Sequence, residues 1–355
     1  VPIRDKIQES VVLCQTKESD IQMNLKKILK IKSFYTHTIS KHNLEFYQYL
    51  SLHYFIDLGM VFKMALQQYP TSDIKNYFTY QNQIFTSQKS LIEGFSLSAK
   101  QWKDLITNKQ ITQITKSFLF QKIVKPISLN DDQLKIFNNI WKKENKSFSN
   151  HLIDGVTGSG KTELYFKLIE ENLISGKQTL VLLPEIALTE EWSKRFSQYF
   201  GCDPFVWHSK QTKQQKSRIL RSLLSGEPSV IIGARSAVLL PFKNLKLIIC
   251  DEEHDSSYKQ EEGPRYHAKD MAIYKAKCHN AICTLVSASP SLESLYNLKS
   301  KKIIGHKLLS QFHKTELPEI NVIDMNNFKP SSKSWISKKI YDETLKNLKD
   351  KNQVL

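Results

Sequence analysis

The sequence predicts an α/β fold: a parallel sheet with helices on both faces, preceded by a small α+β region. Three observations lead there. From Ser128 onward short apolar segments alternate with helix-period ones, a glycine-rich turn at 155–162 joins one such segment to a helix, and the apolar segment 245–250 ends in a run of carboxylates. Strands that need crossover helices pair in parallel, and their ligands gather at the carboxyl ends of the strands.

Taken in order, residues 8–14 read as a strand. Residues 43–67 read as helical, because Leu44, Tyr47, Leu50, Leu52, Phe55, Leu58 and Phe62 recur mostly at intervals of three and four. Residues 70–90 are polar and rich in Tyr, Asn and Gln, a linker composition, and 98–125 has room for two short helices and a strand, as a winged-helix remnant would. Strands are then expected at 149–154, 179–183, 230–232, 245–250 and 281–287, and a helix at 163–171. Beyond Lys314 the chain reads as irregular until a last helix at 335–348, which puts domain boundaries after residues 69, 127 and 325.

Composition narrows the class. The 355 residues carry 51 Lys and Arg against 35 Asp and Glu, net +16, and 40% are hydrophobic, enough for two or three domains with their own cores and too much for a disordered chain. No apolar run approaches the about 18–20 residues of a spanning helix, and the first residues mix charges as no signal peptide does. Five cysteines, odd in number and widely spaced, suit a reducing cytoplasm, and Cys278 and Cys283 beside His279 do not complete a zinc set. There are seventeen cations against nine anions up to residue 128 and 34 against 26 after it, so the basic character is global and points to a polyanionic partner without locating it. Only six of the cations are Arg, in a Lys-, Asn- and Ile-rich composition like that of an AT-rich genome, so each planar fork that was kept draws notice.

The chemistry begins at Gly155-Val156-Thr157-Gly158-Ser159-Gly160-Lys161-Thr162, which fits G-x4-G-K-T between a strand and a helix. Glycines let backbone N–H groups wrap phosphates at a helix N-terminus, Lys161 reaches the β and γ phosphates, and Thr162 ligates Mg²⁺. Ninety residues on, Asp251-Glu252-Glu253-His254 follows the apolar segment. Asp251 would hold Mg²⁺ through water, and Glu252 would orient or deprotonate an attacking water.

The D-E-x-H form, with His254 completing it, resembles superfamily 2 DEXH helicases, and more closely the primosomal protein N′ family of replication-restart helicases. The likeness rests on 154–163, Leu183-Pro-Glu-Ile-Ala-Leu-Thr189, His208-Ser209, Gly233-Ala-Arg-Ser-Ala237, 251–259, Glu262-Gly-Pro-Arg-Tyr-His-Ala-Lys-Asp270 and Ser287-Ala-Ser-Pro-Ser-Leu-Glu-Ser294. It covers about 129–300, and a looser likeness runs through 1–67. The resemblance implies a RecA-like P-loop lobe over 128–325, a DNA-binding region over 1–69 that is incomplete at its start, and a connection over 326–355 to a second lobe.

It also implies residue roles. Gln133, expected ahead of the first helix, matches an adenine-reading glutamine. Thr189, Arg235 and Ser236 match motifs that touch the single-strand backbone. Residues 256–270 match an aromatic-rich loop coupling DNA occupancy to hydrolysis, with Tyr258, Arg265, Tyr266 and His267 as stacking or phosphate-contacting groups. Pro264 stands where some members carry an aromatic, and Ser289 where Thr is usual. Lys26 matches a lysine near a pocket for a nascent 3′ end.

By the same resemblance the cofactors are ATP and Mg²⁺, with Zn²⁺ in the complete protein on ligands outside this chain. The partners are forked, D-loop and single-stranded DNA, primosome proteins, single-stranded DNA-binding protein, and the replicative helicase with its loader, in the bacterial cytoplasm at the nucleoid and not at a membrane. The expected activity is ATP-dependent 3′→5′ unwinding. The rival readings are a non-catalytic fork-binding adapter, which need not keep Lys161, Asp251 and Glu252, and another superfamily 2 translocase.

Overall fold

The computed structural model describes residues 39–66, 125–141, 147–184, 190–308, 321–330 and 335–354, with short stretches at 2–3, 6–7, 77–80, 83–85 and 112–114 and a few positions between 95 and 108. The chain divides into two compact units, 1–312 and 313–355. In the first, β1 (Pro2–Ile3) and β2 (Lys6–Ile7) pair antiparallel, and α1 (Lys41–Tyr54) and α2 (Leu58–Ala65) follow. A small antiparallel sheet runs β4-β3-β5 from β3 (Tyr77–Tyr80), β4 (Gln83–Phe85) and β5 (Thr112–Ile114). The rest alternates: α3 (Asp131–Ile140), β6 (Ser149–Gly155), α4 (Lys161–Ile174), β7 (Gln178–Leu182), α5 (Glu190–Phe200), β8 (Phe205–Trp207) and α6 (Lys213–Ser225). It continues through β9 (Ser229–Gly233), β10 (Leu245–Asp251), α7 (Ala268–His279), β11 (Ile282–Ser287), α8 (Leu292–Lys299) and β12 (Ile304–Leu308).

Seven strands form one sheet in the order β12-β6-β11-β10-β7-β9-β8, and every neighbouring pair is parallel. The α/β reading holds, with all five expected strands within two residues of their places. Two edge strands were not foreseen. β8 has three residues, and β12 is half polar and open on one side, so neither carries a buried apolar run.

Successive side chains on a strand point to opposite faces, and the two cores follow that rule. Leu180, Leu182, Ile248, Cys250 and Leu285 face one core, and Val181, Leu183, Leu247, Ile249 and Val286 face the other. The second core takes α3, α4 and α5 through Ile140, Phe166 and Phe196. The first takes α6, α7, and also α1 and α2, through Leu223, Met271, Phe46 and Val61.

One expectation for this region is corrected. The helix expected over 43–67 is two helices, because Phe55 leaves α1 in the left-handed region (φ 54°) and Asp57 caps α2 by accepting from the Met60 N–H. These helices share a hydrophobic core with the lobe. Tyr47 Oη donates to Leu239 O at 2.8 Å, and Asn43 Nδ2 donates to Phe242 O at 2.6 Å.

The segment 70–90, expected as linker, contributes β3 and β4. Tyr, Phe and Thr favour strands even in a polar context. Of the expected winged-helix remnant, the strand is present as β5 and most of the remainder lies outside the described residues, as does the strand expected at 8–14. In the second unit, α9 (Lys338–Lys349) is capped by Ser337, close to the helix expected at 335–348, and buries none of its residues. Among the described residues no helix is long and apolar enough to cross a membrane.

Candidate functional site

The glycine-rich turn leaves the carboxyl end of β6, and Asp251 ends β10. Only β11 lies between them, with Asp154 opposite Ser287 and Asp251 opposite Val286. The parallel sheet thus brings together two segments ninety residues apart.

Within the turn, Gly158 and Gly160 take positive φ (78° and 80°), and a Cβ on Gly160 would run into Gln133 Nε2. Glycine is required there on both counts. Gly160 caps α4 with no side-chain acceptor, so the first-turn N–H groups remain directed outward as donors for an anion. Val156, Thr157 and Gly158 are exposed. Ser159 Oγ is buried with no hydrogen-bond partner, and Lys161 Nζ donates to Gly155 O at 2.7 Å and Val156 O at 3.2 Å. A buried orphan hydroxyl, outward N–H groups and a turn closed to a Cβ at Gly160 fit a phosphate group.

Gln133 is inside α3, at its third position, and is fully buried; the expectation of a residue ahead of the helix is corrected. Its Oε1 accepts from the Asn130 N–H while Asn130 Oδ1 accepts from the Gln133 N–H, a reciprocal capping box. Its Nε2 donates to Ser159 O at 3.3 Å and Gly160 O at 3.1 Å, so the carboxamide ties α3 to the turn.

The carboxylates are held unequally. Asp251 Oδ2 accepts from Tyr165 Oη at 2.9 Å and Oδ1 from the Glu252 N–H at 3.0 Å. Burial pushes its carboxyl up to about 6, against the bond from Tyr165. Glu252 sits at φ 46°, a conformation that costs a non-glycine residue about 1–3 kcal/mol and turns its half-exposed carboxylate off the strand end. His254 Nδ1 is 2.8 Å from Ser287 Oγ and 3.6 Å from Glu252 Oε2, joining β11 to the carboxylate run.

Glu253, which sequence reasoning left unassigned, is buried as a hub. It takes Lys269 Nζ at 2.7 Å, the Ser291 N–H at 2.7 Å and Ser294 Oγ at 2.9 Å. Burial raises its carboxyl, but these donors outweigh it and hold it below the usual range. Its partners lie 16 to 41 residues away, and no local spacing marks them.

The loop after β10 differs most from expectation. Tyr258 is 1% exposed, and its hydroxyl lies 2.9 Å from Leu182 O and 2.7 Å from Asp251 O. Tyr266 is 3% exposed. Neither ring is open to stack on a base, because the apolar faces of both are spent in the core; they anchor the loop. Lys259 and His267 bridge antiparallel, leaving an exposed tip at 261–263 and 265. Arg265 is exposed at that tip, whereas His267 is half-buried, its backbone N–H donating to Tyr54 Oη at 3.1 Å. Arg235 Nη1 donates to Ser257 O at 3.4 Å and Lys259 O at 3.3 Å, tying the loop to the turn after β9, and Ser236 beside it is exposed. Thr189 and Lys26 lie outside the described residues.

For a metal, Thr162 at the start of α4 and the carboxylate of Asp251 are oxygen donors suited to Mg²⁺. Among the described residues no three His, Cys, Asp or Glu side chains converge to hold a metal, so no zinc set is found there.

Residues 130–298 match the DEAD/DEAH box helicase family. The replication restart protein PriA of Rickettsia felis is 47% identical over 211 residues, which are 59% of this chain and 33% of that protein. That of Bacillus subtilis is 44% identical over 214 residues, 58% of this chain and 26% of the relative. That of Chlamydia trachomatis is 33% identical over 363 aligned positions, 91% of this chain and 48% of the relative. The chain spans less than half the length of these relatives. Over residues 130–298 the chain is similar to the DEAD/DEAH box helicases, and over more than half of its length it is homologous to the bacterial PriA replication restart proteins.

Proposed function

We propose that this chain is the first motor lobe, with part of the DNA-binding region, of a DNA-dependent ATPase that acts as a 3′→5′ helicase in replication restart. Its DNA substrates are forks and D-loops, and its role includes primosome assembly and loading of the replicative helicase. The observation that carries the reading is that the turn leading to Lys161 leaves β6 and the Asp251–Glu252 pair ends β10, two strands separated only by β11.

Phosphoryl transfer asks for charge neutralisation and in-line positioning more than for covalent chemistry. The turn N–H groups and Lys161 receive the phosphates, the lysine exchanging its carbonyl partners for phosphate oxygens. Thr162 and Asp251 would hold Mg²⁺, which would supply neutralisation of the phosphate charge when bound. Glu252 orients the attacking water and takes its proton, and His254, through Ser287, joins that carboxylate to β11. Arg235, Ser236 and Thr189 serve the DNA backbone, and Arg265 at the loop tip meets a base or phosphate. Gln133 reads adenine only by giving up its bonds to Ser159 O and Gly160 O.

The test is ATP turnover, with and without single-stranded DNA, by the complete protein and its Lys161→Ala variant, beside a fork-binding titration. Turnover is expected to fall to background in the variant, basal and stimulated alike, with fork binding nearly unchanged. Undiminished turnover overturns the site assignment. Fork binding without turnover by the unaltered protein would favour the adapter.

A further inference from the structure

Asp251 does not stand alone at the end of β10. Tyr165, on the second turn of α4, places its hydroxyl 2.9 Å from Asp251 Oδ2, and Trp192 Nε1, in the first turn of α5, donates to that hydroxyl at 2.9 Å. The three residues come from separate elements, Asp251 lying 86 positions and Trp192 27 positions after Tyr165.

The direction of each bond is fixed by chemistry. An indole N–H can only donate, so Trp192 occupies a lone pair of the tyrosine oxygen, and the single O–H proton is left for the carboxylate. Trp192 is itself held: its ring stacks on Phe196 at 5.5 Å and meets Phe166 edge-on at 5.3 Å. Oδ1 of Asp251 takes the Glu252 N–H, so each carboxylate oxygen has one bond from the protein and keeps a lone pair for a further donor.

We infer that Tyr165 is a positioning residue for the carboxylate that serves Mg²⁺, and that Trp192 sets the direction of the Tyr165 hydroxyl, linking the first turn of α5 to the nucleotide site. This rests on the ATP-site reading above and adds to it two residues that do not touch nucleotide.

The test is a Mg²⁺ titration of ATP binding to the purified chain, followed with a fluorescent ATP analogue, for the unaltered protein and for Tyr165→Phe, Trp192→Phe and Lys161→Ala. Outer partners of a ligand typically affect metal affinity by about 10- to 100-fold. Tyr165→Phe is expected to raise the Mg²⁺ midpoint within that range while leaving Mg²⁺-free ATP binding unchanged. Trp192→Phe keeps the stacked ring, loses the N–H, and is expected to shift the midpoint in the same direction by less. An unchanged midpoint in both variants, with Lys161→Ala still losing ATP, overturns this inference and spares the ATP site. Equal weakening with and without Mg²⁺ also overturns it, since a packing defect behaves so. ATP binding that is indifferent to Lys161→Ala overturns the site reading itself. Should Tyr165→Phe melt far below the unaltered protein, Trp192→Phe decides.

Discussion

The nucleotide edge of the sheet and the face on which α1 docks both collect polar groups, and they treat them in opposite ways. At the edge, Lys161, Glu252 and His254 are partly exposed, and Ser159 Oγ is buried with no partner. On the docked face, Asn43, Lys275 and His279 are buried and find partners within the protein. Asn43 Nδ2 donates to Ser40 Oγ and Phe242 O, and its Oδ1 lies 3.2 Å from His279 Nε2. Lys275 Nζ donates to Leu240 O at 2.8 Å under the rings of Phe46, Tyr47 and Phe242. Polar groups satisfied from within hold two elements together, whereas those left with donors or lone pairs to spare mark where a ligand enters. The loop after β10 combines both: an anchored base at Tyr258 and Tyr266, and an open tip at Arg265.

The contrast breaks most directly at Lys275. Lys275→Ala removes one of the two donors to Leu240 O, the Phe242 N–H being the other, and leaves a cavity among three rings, with an expected cost of about 2–4 kcal/mol in stability. Thermal unfolding measures that loss, and ATP affinity of the folded variant should match the unaltered protein. A folded variant that has lost ATP binding would show that the two regions are not separable.

The loop sharpens the comparison at intermediate scale. In the complete protein, Arg265→Ala is expected to remove a DNA contact of the order of 1–3 kcal/mol, lowering DNA-stimulated hydrolysis with the basal rate preserved. Tyr266→Ala, at a buried position, should lower the melting temperature and both rates together. Identical behaviour of the two variants would deny the division between tip and base.

The smallest effect is read by pH. Burial, with the charge of Lys275 beside it, pushes His279 down to about 2, so between there and about 6.5 the unfolded chain binds a proton the folded one refuses. Stability from this group is therefore full above about 6.5 and falls with pH through that window, by at most about 1.4 kcal/mol per pH unit. Lys275, pushed down to about 7 by burial, adds a second window between about 7 and 10.4 in which stability again rises with pH. Denaturant melts at pH 5.5 and 6.5 should show a shallower slope for His279→Gln; an equal slope would place the acid sensitivity elsewhere.

The sequence by itself determined whatever local pattern encodes. The phosphate-binding turn was legible because glycine spacing and a following helix are consecutive in the chain, and so were Asp251 and Glu252 at the end of an apolar strand. The central strands were legible from alternation against two cores. Tertiary structure decided which side chains those patterns expose. Tyr258 and Tyr266 carry the same aromatic ring whether it stacks on a base or fills a core, and only the approach of Leu182 and the Asp251 backbone made Tyr258 an anchor. The docking of α1 and the path from Trp192 through Tyr165 to Asp251 depend on contacts 27 to 236 residues apart. Periodicity within a window of a few turns cannot carry such contacts; they are chosen when the strands order themselves in the sheet and bring remote side chains to one edge.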